Sequence, residues 1–434
     1  MVFISPKVLF YLIRIRRNLW LEPSDLQSLQ FKRFRALVRH AYENIVFYHR
    51  KFKEAGVKPD DIKSFNDIYK IPVTTKFEIQ ACNPKDVIDR NVNTSLIKKT
   101  TSGSTGIPLT LFFNYQVEDF YTAVWMRALF ENGLKVRDKI AFITDPHTFP
   151  KGKSPLQHLD IIKRKYISIF YPAEKQIALL KEFKPNVIKG YTSNLSILAE
   201  QFREATKEIR PRLVFSGAEI LDAASRRSIS SAFGGELFDL YGCNEFNLLA
   251  WECRAHNGYH INSDSVLMEF LDDDGEAVAP GEMGKVVCTS LFNYVMPLIR
   301  YELDDMAVPA KDECTCGVTL PLIKSIEGRA DDFLLTTNGR IISPTVFFPY
   351  PFEDTDWIRQ FRIIQESQKK IVIQIVAKEM PADQDRILRN AEQKIRRLFG
   401  EDMEVEFKLM EKITRDPTGK IRKVISHVNK LKRI

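Results

Sequence analysis

The chain of 434 residues is 44% hydrophobic and 28% charged, so it can bury a large core and is not intrinsically disordered. No stretch approaches the roughly eighteen consecutive apolar residues of a membrane-spanning helix, and six cysteines are too few for a disulfide framework. The 64 basic residues exceed the 56 acidic ones, and the net charge of +8 suits anionic partners without choosing among them.

The N-terminal segment, residues 2–20, mixes apolar side chains with Arg14, Arg16 and Arg17. It lacks the positive start, unbroken apolar stretch and cleavage site of a secretory signal, so we expect a cytoplasmic protein with reduced thiols. The pattern has two interpretations. Either a helix packs on the body of the protein, or an amphipathic helix makes peripheral contact with a membrane surface.

The spacing of apolar residues then changes twice along the chain. Helical spacing over residues 31–52 predicts one core helix. From residue 97 onward short β-rich runs alternate with helical ones, which is typical of βα units and a parallel sheet. The strands predicted in this region cover residues 139–143, 167–170, 186–189, 213–215 and 237–240.

From residue 261 strands are joined by turns, and strands over 266–270 and 285–289 predict an antiparallel addition. Beyond residue 329, strands over 371–376 and near residue 341 flank a helix over 384–399. The predicted fold class is therefore α/β, with a large layered N-terminal domain that contains parallel sheets and an antiparallel subdomain. A small, mobile α+β domain follows it, and the predicted division is residues 1–329 and 330–434.

The segment over residues 100–106 reads Thr-Thr-Ser-Gly-Ser-Thr-Gly, with two glycines and five hydroxyl side chains. Glycine allows close approach of the backbone, and hydroxyl and free N–H groups can donate to phosphate oxygens. The lysine that ends the common nucleotide-binding loop is absent. Read alone, the segment is either a phosphate-binding loop of another kind or a solvated turn.

Five further motifs follow this loop in the chain. They read Ser-Gly-Ala-Glu (216–219), Tyr-Gly-Cys-Asn-Glu (241–245), Arg-Tyr-Glu-Leu-Asp-Asp (300–305), Gly-Arg-Ala-Asp-Asp (328–332) and Thr-Gly-Lys-Ile (418–421). In this order they resemble the motifs of the adenylate-forming superfamily, which includes acyl-CoA synthetases, luciferases and peptide-synthetase adenylation domains. The patterns at 47–48, 71–76 and 252–253 are most similar to phenylacetate-CoA ligases and their capsule-biosynthesis relatives.

The resemblance implies that ATP activates a carboxylic acid as an acyl-adenylate, with release of pyrophosphate, and that the acyl group passes to CoA. It also implies that Glu245 helps to hold Mg²⁺ and acts in catalysis, that Lys420 is the mobile catalytic lysine, and that Asp331 is the hinge. The residues that it assigns to ATP or AMP binding are Thr101, Ser102, Gly103, Ser104, Thr105, Gly106, Ser216, Gly217, Ala218, Glu219, Tyr241, Gly242, Cys243, Asn244, Asp305 (which binds the ribose) and Arg329. Read singly, Lys420 could be a turn lysine, and Glu245 and Asp305 surface carboxylates.

A separate pattern combines Cys253 and His260 with Cys314 and Cys316. Three thiols and an imidazole are the donor set of a closed structural zinc site, which would tie together a subdomain over residues 253–320. His256 is an alternative to His260, which follows a Gly-aromatic pair as in similar proteins. Unliganded cysteines are the other interpretation, and plain buried thiols are predicted at Cys82, Cys243 and Cys288.

The sequence leaves two classes of acyl acceptor open. Glu302 and Asp304 stand where the phenylacetate branch usually carries arginines, so transfer to an amine or hydroxyl, for example on a surface-polysaccharide sugar, is an alternative to CoA. Phe112, Phe246 and Trp251 line either the acid pocket or the core. We expect small-molecule partners and no nucleic acid, and a homodimer stays open.

Overall fold

The computed structural model describes residues 5–101, 108–150, 161–347, 351–352 and 357–428. The α-helices are α1 Pro6–Arg16, α2 Pro23–Asn44, α3 Val46–Glu54, α4 Lys76–Ala81, α5 Tyr115–Glu131, α6 Ala173–Phe183, α7 Thr192–Gln201, α8 Arg203–Ile209, α9 Ala223–Phe233 and α10 Gln384–Phe399.

The strands of the large part of the molecule are β1 Ile97–Thr100, β2 Thr110–Phe113, β3 Lys139–Thr144, β4 Lys163–Ser168, β5 Val187–Gly190, β6 Leu213–Gly217, β7 Glu236–Cys243, β8 Asn247–Glu252, β9 Tyr259–Ile261, β10 Val266–Leu271, β11 Gly284–Ser290, β12 Tyr301–Pro309 and β13 Leu322–Arg329. The remaining strands are β14 Leu334–Leu335, β15 Ile341–Ile342, β16 Ile358–Ser367, β17 Lys370–Ala377, β18 Glu404–Leu409 and β19 Val424–Ser426.

An 11-stranded sheet, in the order β10-β11-β12-β13-β9-β8-β7-β6-β5-β3-β4, organises the large part of the molecule. Strands β4, β3, β5, β6 and β7 are parallel, and every pairing from β7 to β10 is antiparallel. All five residues of β6 are buried, as expected for a parallel strand covered on both faces. The α/β fold class and the antiparallel addition are confirmed.

The small C-terminal part has a separate 4-stranded sheet in the order β18-β17-β16-β19. Helix α10 buries Ala391, Ile395 and Phe399 on one stripe, which packs with Ile373 and Ile375 of that sheet. The bounds of α10 match the predicted helix over 384–399. The large sheet ends at Arg329 and new sheets begin at Leu334, while the use of this point as a hinge stays a prediction.

The prediction of one helix over residues 31–52 was wrong. The chain leaves the helical conformation at Ile45, where φ is −113° and ψ is 113°, and α3 begins at the next residue. Two competing bonds account for the break. The N–H of Phe47 donates to the carbonyl oxygen of Asp86 instead of to its own helix, and Nδ2 of Asn44 donates to the backbone carbonyl oxygen of His40 at 3.1 Å. Apolar spacing continues across the break because Ile45 itself is buried.

Helix α1 packs along α5, and its residues Val8 and Ile15 are buried in the main hydrophobic core. This supports the packed interpretation of its inner face. Among the described residues, no helix combines the length and the apolar content that crossing a bilayer requires.

Candidate active site

The hydroxyl of Tyr241 donates a hydrogen bond of 2.7 Å to Oδ2 of Asp305. Tyr241 lies near the end of β7 and Asp305 lies on β12, and four strand spacings separate these strands in the sheet order. In a flat sheet that separation would be about 19 Å. The sheet therefore curls, and its curvature brings two predicted nucleotide-binding residues together.

Arg329 and Lys420 approach the same carboxylate. Asp305 pairs in register with Arg329 on β13, whose Nε lies 3.9 Å from Oδ1 of Asp305. Burial raises the pKa of Asp305, and the opposing charges of Arg329 and Lys420 only partly offset this. Burial, followed by repulsion from Arg329, lowers the pKa of Lys420. The cluster thus joins residues from both parts of the chain.

Glu245 follows β7 in the turn that leads to β8 and faces the same region. Burial raises the pKa of its carboxyl group, while Arg329 and Lys76 act in the opposite direction. Carboxylates whose charge is incompletely compensated by the protein are typical of sites that receive a cation or a hydrogen-bond donor from a ligand. Glu245 and Asp305 both have this character.

The segment 216–219 begins at the end of β6 and carries a strained residue. Ala218 has a φ of 67°, which is uncommon for a residue with a Cβ and costs about 1–3 kcal/mol unless the surroundings enforce it. The hydroxyl of Ser216 is used inside the protein, because it donates to Oδ1 of Asp239 at 2.6 Å. Ser216 and Gly217 are buried, whereas Ala218 is exposed and Glu219 is half-buried.

Glu219 holds the lysine loop, which we define as residues 416–421. Its Oε1 accepts the N–H of Ile421 at 2.7 Å and the hydroxyl of Ser193 at 2.9 Å, and its Oε2 accepts the N–H of Ser193 at 2.7 Å. The carboxylate therefore connects the N-terminal turn of α7 with the residue that follows Lys420. Sequence reasoning assigned Glu219 to the nucleotide and missed this contact.

Asp416 gives the lysine loop its shape. Its Oδ1 accepts the N–H groups of Thr418 at 2.8 Å and of Lys420 at 3.0 Å, and the hydroxyl of Thr418 at 2.7 Å. Gly419 has a φ of 85°, and a Cβ at this position would lie 2.7 Å from Cγ2 of Ile169. The loop thus has a defined conformation and lies directly against the large part of the molecule.

Lys423 makes a second contact across the same boundary. Its Nζ donates to Oδ2 of Asp222 at 2.6 Å and to Oγ of Ser225 at 3.0 Å, at the start of α9. Asp222 already caps that helix through the N–H groups of Ala224 and Ser225. Lys423, Asp222 and Ser225 belong to none of the sequence motifs. Their contact therefore becomes visible only in the folded structure.

The predicted hinge residue Asp331 lies in a short 3₁₀ turn, Ala330–Asp332, between β13 and β14. The neighbouring Asp332 forms an ion pair with Arg422, which follows the lysine loop. The turn therefore lies beside the lysine loop as well as between the two sheets.

The remaining predicted nucleotide residues are placed as follows. Thr101 is buried and forms two hydrogen bonds with Leu109. The N–H of Thr101 donates to the carbonyl oxygen of Leu109 at 2.9 Å, and the N–H of Leu109 donates to Oγ1 of Thr101 at 3.0 Å. A Cβ at Gly242 would lie 2.1 Å from the carbonyl oxygen of Asn247, so the β7–β8 turn requires glycine there. Cys243 is half-buried and Asn244 is exposed. Ser102, Gly103, Ser104, Thr105 and Gly106 lie outside the described residues.

The aromatic candidates for an acid pocket are all buried. Trp251 is fully enclosed, its indole N–H donates to Oδ1 of Asn262 at 3.2 Å, and it is therefore a core residue. Phe246 packs against the ring of Tyr301, with 6.2 Å between centroids. Phe112 lies under the ammonium group of Lys98.

The four predicted zinc ligands come together. Their donor atoms all lie within 4.8 Å of one another, with 3.5 Å between the sulfurs of Cys253 and Cys314 and 3.2 Å between Sγ of Cys316 and Nε2 of His260. Tetrahedral coordination with Zn–S bonds of about 2.3 Å separates neighbouring donors by about 3.5–3.8 Å. The donor set and its spacing therefore fit zinc.

The imidazole of His260 is oriented by its second nitrogen, Nδ1, which lies 3.2 Å from the carbonyl oxygen of Leu320. His256 instead lies 3.2 Å from Glu252 and stacks on Phe238 at 5.4 Å. The geometry thus selects His260. Because β9 carries His260 between β13 and β8, a bound ion would join the antiparallel strands to the rest of the sheet.

Comparisons with known proteins identify relatives of this chain. The chain is 30% identical over 322 residues to the phenylacetate-coenzyme A ligase of Escherichia coli (strain K12), covering 72% of each chain. It is 24% identical over 424 residues to protein CapK of Staphylococcus aureus, covering 94% of this chain and 90% of that protein. The chain belongs to the phenylacetate-CoA ligase branch of the adenylate-forming superfamily. It is an AMP-forming ligase that acts through an acyl-adenylate.

The fold of this ligase is shared with a solved relative. The crystal structure of 2-hydroxyisobutyryl-CoA ligase in the postadenylation state, in complex with 2-HIB-AMP, matches with a TM-score of 0.79 and 20% identity, covering 94% of this chain and 91% of that one. Residues 334–427 match the family model described as the CapK C-terminal domain. The C-terminal part thus resembles CapK, within a ligase whose overall fold is that of the superfamily.

Proposed function

We propose that this ligase adenylates a small carboxylic acid at the cluster formed by Tyr241, Asp305, Arg329 and Lys420. The 2.7 Å bond between Tyr241 and Asp305, with both cations in electrostatic reach of that carboxylate, is the observation that carries the proposal. One carboxylate can accept from two adjacent hydroxyls, which suits Asp305 to the ribose of ATP. The expected setting is the cytoplasm, where ATP is available.

Charge neutralisation is the main task of such a site, because both the acid and ATP are anions. Attack of a carboxylate oxygen on the α-phosphorus requires the two anions to approach in line while charge develops on the phosphate oxygens. Lys420 would donate to the α-phosphate and to the carboxylate, and Arg329 would contribute a second positive charge. Glu245 would supply a hard oxygen ligand for Mg²⁺, which neutralises phosphate charge when bound.

We also propose that Cys253, His260, Cys314 and Cys316 bind a structural zinc ion. Its role would be to fix the β12–β13 connection to β8 and β9, and β12 and β13 carry Asp305 and Arg329. The four-ligand donor set leaves no open coordination position, so this ion would not take part in the reaction.

For the second half-reaction, CoA is the first candidate acceptor, since relatives of this chain are named phenylacetate-coenzyme A ligases. Two observations favour an amine or hydroxyl acceptor as the second candidate. Glu302 and Asp304 add negative charge on β12 beside Asp305, where polyanionic CoA would be repelled. In addition, residues 334–427 match the CapK C-terminal domain.

Pyrophosphate exchange against a panel of aryl, fatty, amino and sugar acids tests the first half-reaction. At least one acid should support exchange, and Asp305→Asn should raise the KM for ATP by about tenfold or more because one accepting oxygen is lost. Absence of exchange with every acid class would contradict the proposal. AMP release measured with CoA, amine and hydroxyl acceptors then identifies the acceptor.

A further inference from the structure

Helix α1 and the turn that follows it present an exposed apolar face. Leu9, Phe10 and Ile13 are 52%, 60% and 54% exposed, and Trp20 is 53% exposed. With roughly 3.6 residues per turn, Leu9, Phe10 and Ile13 share one side of the helix, and Trp20 follows in the short 3₁₀ turn Arg17–Trp20. The opposite side carries Val8 and Ile15, which are each 1% exposed. The helix therefore has two apolar sides, and only one of them packs on the protein.

The outer face is held in a fixed orientation. The hydroxyl of Ser5 donates to Oδ1 of Asp119 at 3.1 Å, and Arg16 pairs with Glu131 at 2.6 Å at the other end of the helix. Between them, Arg127 donates to the carbonyl oxygen of Ile15 at 2.7 Å. These contacts hold α1 along α5 in a parallel orientation, with the apolar face directed to the surface.

Basic side chains border the apolar face. Lys7, Arg14 and Arg17 are exposed, and residues 1–21 contain no aspartate or glutamate. Exposed apolar side chains bordered by basic ones are the composition of helices that lie in the headgroup region of a membrane. Each basic residue near an anionic surface adds to the attraction.

We propose that the face formed by Leu9, Phe10, Ile13 and Trp20, with Lys7, Arg14 and Arg17, docks on the surface of an anionic lipid bilayer. A second copy of the chain fits this face less well. A two-fold contact would bring each patch against itself, and the basic residues of the two copies would then repel one another. The docking is independent of the reaction proposed for the active site.

Flotation of the whole protein with vesicles tests this docking. We expect binding to vesicles of phosphatidylcholine with roughly 30% phosphatidylglycerol, weaker binding to phosphatidylcholine alone, and loss of binding at high salt. Phe10→Glu combined with Ile13→Glu should weaken binding by about tenfold or more. Trp20 should give a blue shift of fluorescence on binding, which Trp20→Phe removes.

The matched control is Val136→Glu combined with Leu409→Glu, because these residues are 53% and 57% exposed and lie elsewhere on the surface. This control should bind vesicles within about twofold of wild type. Both double variants should retain their fold by circular dichroism. Equal vesicle binding by the two variants, equal binding to neutral vesicles, or no binding by wild type would overturn the proposal. So would dissociation of a dimer by the α1 variant, since that result would assign the face to a second copy.

Discussion

The backbone N–H of Ile421 donates a 2.7 Å hydrogen bond to Oε1 of Glu219, and this bond joins the C-terminal part of the chain to the large sheet domain. Because Ile421 follows Lys420, the position of Glu219 fixes the backbone from which the proposed catalytic ammonium group extends. The other bonds of the carboxylate, to Ser193, anchor it on α7. Glu219 is thus suited to position Lys420 for adenylation.

Replacing Glu219 by Ala should lower pyrophosphate exchange by about tenfold to a hundredfold while sparing transfer from a supplied acyl-adenylate. The reason is that only adenylation would need the lysine loop to be held against Glu219. Glu219→Gln keeps one accepting oxygen and should fall between wild type and Ala. Glu204→Ala, on the exposed surface of α8, is the control. A uniform loss of both half-reactions would show that Glu219 supports folding rather than the position of Lys420.

Gly419→Ala should also impair adenylation, because its Cβ would meet Ile169 at 2.7 Å. Gly339→Ala is a matched control: Gly339 has a φ of 88°, against 85° for Gly419, but an added Cβ has open space around it. Both variants carry the same backbone strain of about 1–2 kcal/mol. Pyrophosphate exchange should therefore fall much further in Gly419→Ala, and equal rates in the two variants would disprove the clash.

The stability of the fold should depend on pH through Glu200. Burial raises the pKa of Glu200 from 4.5 to about 7, although Lys378, Lys423 and Arg359 act in the opposite direction. A carboxyl group whose pKa is higher in the folded protein than in the unfolded chain favours folding when it is protonated. The contribution of Glu200 to the free energy of unfolding therefore falls as the pH rises from about 4.5 to about 7 and changes little above that range.

Glu200→Gln removes this titration, so its Tm should exceed that of wild type by more at about pH 8 than at about pH 4.5. The measurement is the Tm difference between variant and wild type across this range, with Glu204→Gln as the exposed control. A Tm difference that stays flat with pH would eliminate Glu200 as the titrating group.

Purified protein should contain about one equivalent of zinc. Cys314→Ser combined with Cys316→Ser should lower the content below about a tenth of an equivalent, whereas Cys82→Ser should retain the metal. Loss of the ion should change the emission of Trp251, whose ring centroid lies 5.1 Å from that of His260. The Tm should fall by about 5 °C or more. Full stability and unchanged emission without zinc would argue against a structural ion.

The periodicity of the sequence predicted the parallel strands β3, β5, β6 and β7 and the helix α10, because those elements depend on local spacing of apolar residues. The strand predicted over 167–170 was displaced, since β4 covers Lys163–Ser168. The motifs also named Tyr241, Asp305 and Lys420 as members of one site. Periodicity could not reveal that the sheet curls to bring β7 and β12 together, because strand order is set by long-range pairing.

Three contacts illustrate what the sequence leaves open. Ser216 was expected to face the nucleotide, yet its hydroxyl donates to the buried carboxylate of Asp239, because an acid in that position requires a donor. The pair of Lys423 and Asp222 had no sequence signal at all, since it forms only when the two parts of the chain meet. The break at Ile45 likewise depends on a tertiary bond to Asp86.

We propose that Lys420 serves the adenylation step at the Asp305 cluster, and separate assays of the two half-reactions of Lys420→Ala are the decisive test. Pyrophosphate exchange should fall by about a hundredfold or more. Transfer from a supplied acyl-adenylate should stay within about threefold of wild type, and Lys412→Ala, an exposed lysine before the loop, should retain both activities. Normal exchange in Lys420→Ala, or equal loss of both steps, would contradict it.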